Sequence, residues 1–233
     1  MNKTTNVQSN QLNYDHYSMD KYDRDIINSI PFHQELHEKI MEYLIDNYQT
    51  NSSKEVLDLG VGTGITSKII KDNFEGFRFC VVDFSEQMLD GAKKKLGEKN
   101  VEYLFGDYAK LDFEKKYDII ISVIGIHHQN NAGKKELFKK IYSLLNNGGI
   151  FIFGDLVTHK NLQKAALNQA KHLHHLVEKA TDEKTLEDWA YHHIVLNDLA
   201  PVEDQIEWLK EAGFKKVNLN MIEMNTSLIV CEK

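Results

Sequence analysis

Arginine is almost missing from this chain of 233 residues: Arg24 and Arg78 are the only two. Planar, bidentate recognition of phosphate or carboxylate is therefore scarce. Cations as a whole are outnumbered, with 28 Lys+Arg against 35 Asp+Glu and a formal net charge of −7. That balance disfavours a broad footprint on nucleic acid, and no direct nucleic-acid binding is expected. Cysteine is limited to Cys80 and Cys231, both in strand-like segments. Buried thiols are expected, not a disulfide framework or a redox pair. Apolar runs such as Ile119-Ile120-Ile121 are far too short to span a bilayer. The first residues, Met1 to Val7, lack the apolar core of a signal peptide. The expectation is a cytoplasmic protein without membrane association.

What is present is enough apolar material, 42% of residues, for one large α/β domain or a domain with a lid. The central stretch is Glu55-Val-Leu-Asp-Leu-Gly-Val-Gly-Thr-Gly64. An apolar, β-branched run stops at a glycine-rich turn, and a helix follows from Ile65. Strand, glycine loop and helix cradle ligands in α/β sheets, because glycine takes positive φ and lets a ligand approach the backbone. A dinucleotide fingerprint would read G-x-G-x-x-G/A. Here Gly60, Gly62 and Gly64 are followed by the bulky Ile65, which argues against a nicotinamide oxidoreductase.

Further strands are expected at 77–83, 101–105, 117–124 and 150–153, alternating with helices from Ser85 to Leu96 and from Lys134 to Leu145. That alternation implies βαβ units and a parallel sheet. Leu36, Ile40, Tyr43 and Leu44 mark an earlier helix, with Pro31 in its first turn. Residues 159–200 read as helical, without a strand. Pro201 starts another helix, and the chain closes on an antiparallel hairpin turning at Asn225-Thr226. Four regions follow: a tail and lid helices over 1–50, a binding core over 51–158, a helical insertion over 159–200, and a helix plus hairpin over 201–233 that complete the core.

Asp83 ends the second strand beside the glycine turn, where a carboxylate can accept bonds from a ribose diol. Asp107, after Gly106, ends the third and can accept from an adenine amino group. Phe84 and Met88 either flank that ring or pack between helix and sheet.

Val56-Leu-Asp-Leu-Gly-Val-Gly-Thr-Gly64, Val82-Asp-Phe-Ser-Glu-Gln-Met-Leu89, Gly106-Asp107 and Leu145-Asn-Asn-Gly-Gly149 resemble the successive motifs of class I S-adenosylmethionine-dependent methyltransferases. Leu209-Lys-Glu-Ala-Gly-Phe214 resembles the same family. The resemblance implies a Rossmann-like α/β fold, a seven-stranded mostly parallel sheet of order 3-2-1-4-5-7-6 flanked by helices. It implies S-adenosyl-L-methionine as cofactor, with Gly60, Gly62 and Gly64 under its methionine part. Asp58 would lie on the amino-group side, Asp83 at the ribose, and Gly106, Asp107 and Tyr108 near the adenine. The reaction would be an in-line methyl transfer to a small-molecule acceptor. The sulfonium already leaves well, so alignment, desolvation and sometimes proton removal are what remains to catalyse.

On the acceptor side, His127-His128 follows the fourth strand; either is a candidate general base, or the pair packs the following helix. Tyr14, Tyr17 and Tyr22 form either a lid over the glycine turn or a surface helix. His175, Tyr191 and His192 of the insertion are expected to line the acceptor pocket. His172 and His175 stand at i, i+3 and could present both rings to one metal with His128 or His192. No diagnostic metal motif is present, so no metal is assigned. Arg24-Asp-Ile-Ile-Asn-Ser-Ile-Pro31 and the insertion also resemble carboxy-S-adenosylmethionine synthases. That family holds its extra carboxylate with an arginine from the insertion, and residues 159–200 contain none. The alternatives are an enzyme like those synthases or related to tRNA modification, or a non-catalytic cofactor-binding protein. A homodimer is compatible with the sequence.

Overall fold

A computed structural model of the chain describes residues 19–233. Tyr14 and Tyr17 lie outside them. Helices α1 (Met19–Ser29) and α2 (His33–Asn47) lead into β1 (Lys54–Leu59), α3 (Ile65–Asn73), β2 (Phe77–Asp83), α4 (Glu86–Leu96), β3 (Val101–Phe105) and β4 (Tyr117–Val123). Then come α5 (Asn131–Leu144), β5 (Leu145–Leu156), α6 (Leu162–Lys179), α7 (Glu183–Tyr191), α8 (Val202–Ala212), β6 (Lys216–Glu223) and β7 (Thr226–Glu232). The seven strands pair in the order β3-β2-β1-β4-β5-β7-β6. All pairs are parallel except those of β7 with β5 and β6. This is the Rossmann-like sheet that the resemblance implied.

The period-2 alternation of each strand sends successive side chains to opposite layers. Leu57, Leu59, Ile120, Phe151, Phe153 and Ile229 pack with Phe138 and Ile141 of α5 and Leu209 of α8. Val56, Val81, Ile119, Ile121, Ile152 and Val230 pack with Leu36, Ile40 and Leu44 of α2, Ile70 of α3 and Ala92 of α4. Two apolar layers hold the sheet, and the carboxyl ends of β1, β2, β4 and β5 share one edge. Cys80 and Cys231 are buried free thiols.

Several boundaries differ from the sequence expectation, and the hairpin turns at Met224-Asn225, one residue before the expected Asn225-Thr226, because Thr226 already pairs with Glu223. Helix α5 starts earlier, because the Asn130 side chain caps it by accepting the Gly133 N–H at 2.8 Å. Strand β5 is longer, since β7 pairs with it from Ile150 through Leu156. Strand β4 stops at Val123, and Ile124 turns to φ 55°. Among the described residues, no helix is long and apolar enough to cross a membrane.

Candidate active site

Gly60, Gly62 and Gly64 take φ of 80°, 54° and 86°, the left-handed region that a side chain disfavours. The turn they form is tied to β2: Gly60 and Val61 N–H both donate to Val82 O at 2.9 Å. A Cβ on Gly64 would stand 3.3 Å from the Ala92 backbone, so this position lets α4 close against the turn.

Asp83 locks the arrangement. Its Oδ2 accepts the Gly62 N–H at 2.8 Å and its Oδ1 the Ser85 N–H at 3.0 Å. Burial nevertheless raises its carboxyl above the usual range. A carboxylate has about four acceptor positions, so capacity remains for a ligand hydroxyl. Asp58 points to the α3 side of the sheet and accepts from Ser67 Oγ at 2.6 Å. Desolvation, with Asp83 adding, pushes it up to about 7. Asp107 is more open; it accepts the Ala109 N–H at 2.9 Å and pairs with Lys110 at 3.0 Å. Tyr108 is buried, with its ring 3.5 Å from where a Gly60 Cβ would be and its hydroxyl donating to Gly125 O at 3.3 Å. Met88 is packed in the interior, at 2% exposure, whereas Phe84 is half-buried.

Tyr22 of α1 covers the turn, 3.8 Å from a Cβ position at Gly62. Its neighbour Asp23 accepts from Thr63 Oγ1 at 2.5 Å and is ion-paired with Lys95. Under this cover lies a small cavity of about 60 Å³, lined by Asp58, Gly60, Gly62, Thr66 and the histidines of α2. His37 bridges two elements: Nδ1–H donates to His33 O, and Nε2 accepts from Thr66 Oγ1, both at 2.9 Å. The glycine turn and three acids of graded exposure fit an adenosyl sulfonium with a free amino group.

A second cavity of about 470 Å³ opens beyond Tyr22, Ile26 and Ile124, which line both. Its walls carry His127, His128, His172, Trp189, Tyr191 and His192. Ile124 sits at the junction in a backbone conformation that is rare for a β-branched residue. Such strain concentrates at functional sites.

His127 is buried at 2% exposure and held by Asp155. Its Nδ1–H donates to Oδ1 at 2.5 Å and its backbone N–H to Oδ2 at 2.9 Å. His128 lies with ring centroids 4.1 Å away and donates from Nδ1 to Leu196 O at 3.4 Å. Burial holds His128 well below the usual imidazole range, with His127 and His192 acting in the same sense. His192 is likewise lowered by burial, to about 4.

The other insertion histidines do different work. His172 Nε2–H donates to Ser29 O at 3.1 Å, and His175 Nε2–H to Asn28 O at 2.8 Å. Both cap the carboxyl end of α1. They therefore face backbone carbonyls and not one metal, and His175 is absent from the residues lining the large cavity. Asp155 and Ile124 carried no expectation from the sequence. Asp155 lies one residue before the end of β5, close to the strand-end position that Asp83 holds in β2, and an acid just after an apolar run was the available signal.

A methyltransferase-domain family profile matches residues 56–149. The chain is 31% identical over 114 residues to a malonyl-[acyl-carrier protein] O-methyltransferase of Bacillus anthracis, covering 49% of the chain and 42% of that relative. It spans about half or less of the other malonyl-[acyl-carrier protein] O-methyltransferases it matches, between 36% and 51% of their length. A carboxy-S-adenosyl-L-methionine synthase of Nautilia profundicola is 26% identical over 216 residues, 90% of this chain and 89% of that one. Among solved structures, an O-methyltransferase family protein from Burkholderia thailandensis superposes with a TM-score of 0.66 at 15% identity, covering 97% of this chain and 63% of the other. Family profile, sheet order and glycine turn agree: residues 56–149 match a methyltransferase domain, and the chain has the fold of the solved methyltransferases.

Proposed function

We propose that this chain transfers a methyl group from S-adenosyl-L-methionine to a small-molecule acceptor held in the 470 Å³ cavity. The observation that carries the reading is the junction at Ile124. The cavity at the glycine turn and the cavity lined by histidines share Tyr22, Ile26 and Ile124, so donor and acceptor sites abut. The bound cofactor supplies an activated methyl on a sulfonium that leaves as a neutral thioether. Gly60, Gly62 and Gly64 hold its methionine part, Asp58 faces its amino group, Asp83 holds the ribose, and Asp107 the adenine amine. Gly106, Tyr108 and the half-buried Phe84 flank the adenine end. Tyr22 excludes water from the turn. His127, oriented by Asp155, and His128 activate the acceptor at the far side of Ile124. Tyr191 and His192 complete the acceptor wall.

A carboxy-S-adenosylmethionine synthase-like reaction is the second reading, favoured by the match that runs over 90% of the chain. Against it, residues 159–200 carry no arginine. Incubation of the full chain with cofactor and a panel of small hydroxy, amino and thiol acceptors tests both. S-adenosylhomocysteine released only in the presence of one acceptor supports methyl transfer. A cofactor that gains a carboxylate, or tight cofactor binding with no release for any acceptor, overturns it. His127→Ala and His128→Ala are expected to lower turnover more than cofactor affinity.

A further inference from the structure

Three imidazoles from two distant parts of the chain converge on the large cavity. His127 and His128 lie on the turn after β4, and His192 opens the turn that ends the insertion. One ring nitrogen from each lies within 4.8 Å of the other two. The His128 and His192 ring centroids are 5.2 Å apart.

The cluster is built, not incidental. Asp155 fixes the ring of His127 through Nδ1, and the Leu196 carbonyl fixes that of His128 through Nδ1. Each is left with Nε2 as its available nitrogen. Carboxylate and carbonyl partners on the remote nitrogen are the contacts that orient metal-ligating histidines. Residues His192–Leu196 form a π-turn, a form that recurs at functional sites. That turn is pinned to the β4 side: the Asp198 N–H donates to His127 O at 2.8 Å, and Lys134 Nζ donates to Asp198 O at 2.6 Å. The His192 ring has no hydrogen-bond partner among the described residues, so its orientation is the one free to adjust.

We propose that His127, His128 and His192 bind one divalent transition-metal ion, whose open coordination positions face the cavity and take an oxygen of the acceptor. Three imidazoles suit zinc, iron, cobalt or nickel and not the oxygen-seeking magnesium or calcium. Three protein ligands leave a position for substrate, as in catalytic zinc sites. Metal–nitrogen bonds of about 2.1 Å set tetrahedral ligand nitrogens roughly 3.4 Å apart, which a rotation of the His192 ring approaches. A coordinated acceptor hydroxyl loses its proton to solvent water more readily, and its oxygen then takes the methyl. The ion is neither oxidised nor reduced. It occupies the Nε2 atom of His127, so coordination replaces proton transfer to that atom. The acceptor half of this inference rests on the methyl-transfer reading; ion binding does not.

The test is calorimetric titration of the chelator-stripped full chain, free of any histidine tag, with zinc alone, and with cobalt followed by its visible spectrum. One equivalent should bind. His192→Ala and His128→Ala should each weaken binding at least tenfold, and Asp155→Asn about 10–100-fold. His174→Ala, an exposed histidine beside Glu178, should leave it unchanged. His192 is the least buried of the three, so its variant reports even where others fail to fold. No bound ion in the wild-type chain, or equal affinity in His192→Ala, overturns the proposal. Stoichiometric ion binding without methyl transfer to any acceptor would sink the catalytic reading and leave the site standing.

Discussion

At the scale of single residues, two acids beside the glycine turn divide the work by their surroundings. Asp83 is already committed to backbone N–H groups of the turn, so its removal would cost the order of the turn together with the ribose contact proposed for it. Asp83→Ala should weaken cofactor binding by about 1–3 kcal/mol, read by calorimetry. Unchanged affinity would remove Asp83 from the ribose site. Asp58 behaves differently, because burial pushes it up to about 7. A raised carboxyl contributes stability below its unfolded value that is lost as pH rises through about 7. A nearby ammonium favours the ionised form. Cofactor affinity should therefore rise as pH increases through about 7, with proton release on binding. Calorimetry in buffers of different ionisation enthalpy checks this, and Asp58→Asn should abolish the dependence.

At the scale of elements, the insertion is a clasp as well as a wall. Helix α6 holds the carboxyl end of α1 through His172 and His175, and His172 Nδ1 accepts from Asn225 Nδ2 of the hairpin turn at 2.6 Å. The His172 ring also packs against that of His193, tilted by 33° with 3.7 Å between centroids. His172→Ala breaks three elements apart at one buried point. It should cost about 1–3 kcal/mol, several degrees in melting temperature, while the sheet itself persists. A melting point within a degree of wild type would show that α1 is held elsewhere, through Asp23 and Lys95.

For the whole molecule, acid lability follows from neutral histidines in the interior. Burial lowers His33 to about 3 and His172 to about 4. A depressed imidazole contributes stability that is fully present above its unfolded value, near 6.5, and is lost as pH falls toward those folded values. Unfolding midpoints should therefore drop between about pH 6.5 and about pH 4, and drop less in His33→Gln. Asp58 works in the opposite direction over part of that range, so the variant comparison is the informative measurement. A wild-type midpoint that holds flat to about pH 4, with His33→Gln unchanged, would contradict the burial assigned to these rings.

Much of the fold was legible because it is local. Strand, turn and helix are written in short periodic patterns, and the alternating glycines of 60–64 all adopt the positive φ that their spacing suggests. Sheet order, too, follows from alternating elements once the family motifs are recognised. Asp83 could be placed beside the turn from sequence, since both end adjacent strands. The interior could not be resolved so finely: Phe84 in the turn after β2 and Met88 in α4 stand four residues apart, yet Met88 is packed and Phe84 half-buried. His172 and His175 share a helix face, but tertiary neighbours gave them carbonyls to cap. The sequence by itself pointed to the donor side, because the glycine turn, Asp83 and Asp107 each stand where a short, locally patterned strand ends. The convergence of His127, His128 and His192, the support of Asp155, and the strained junction at Ile124 were decided only by tertiary structure. Those groups come from β4, β5 and the insertion, and what joins them is long-range docking of elements whose relative position no local pattern encodes.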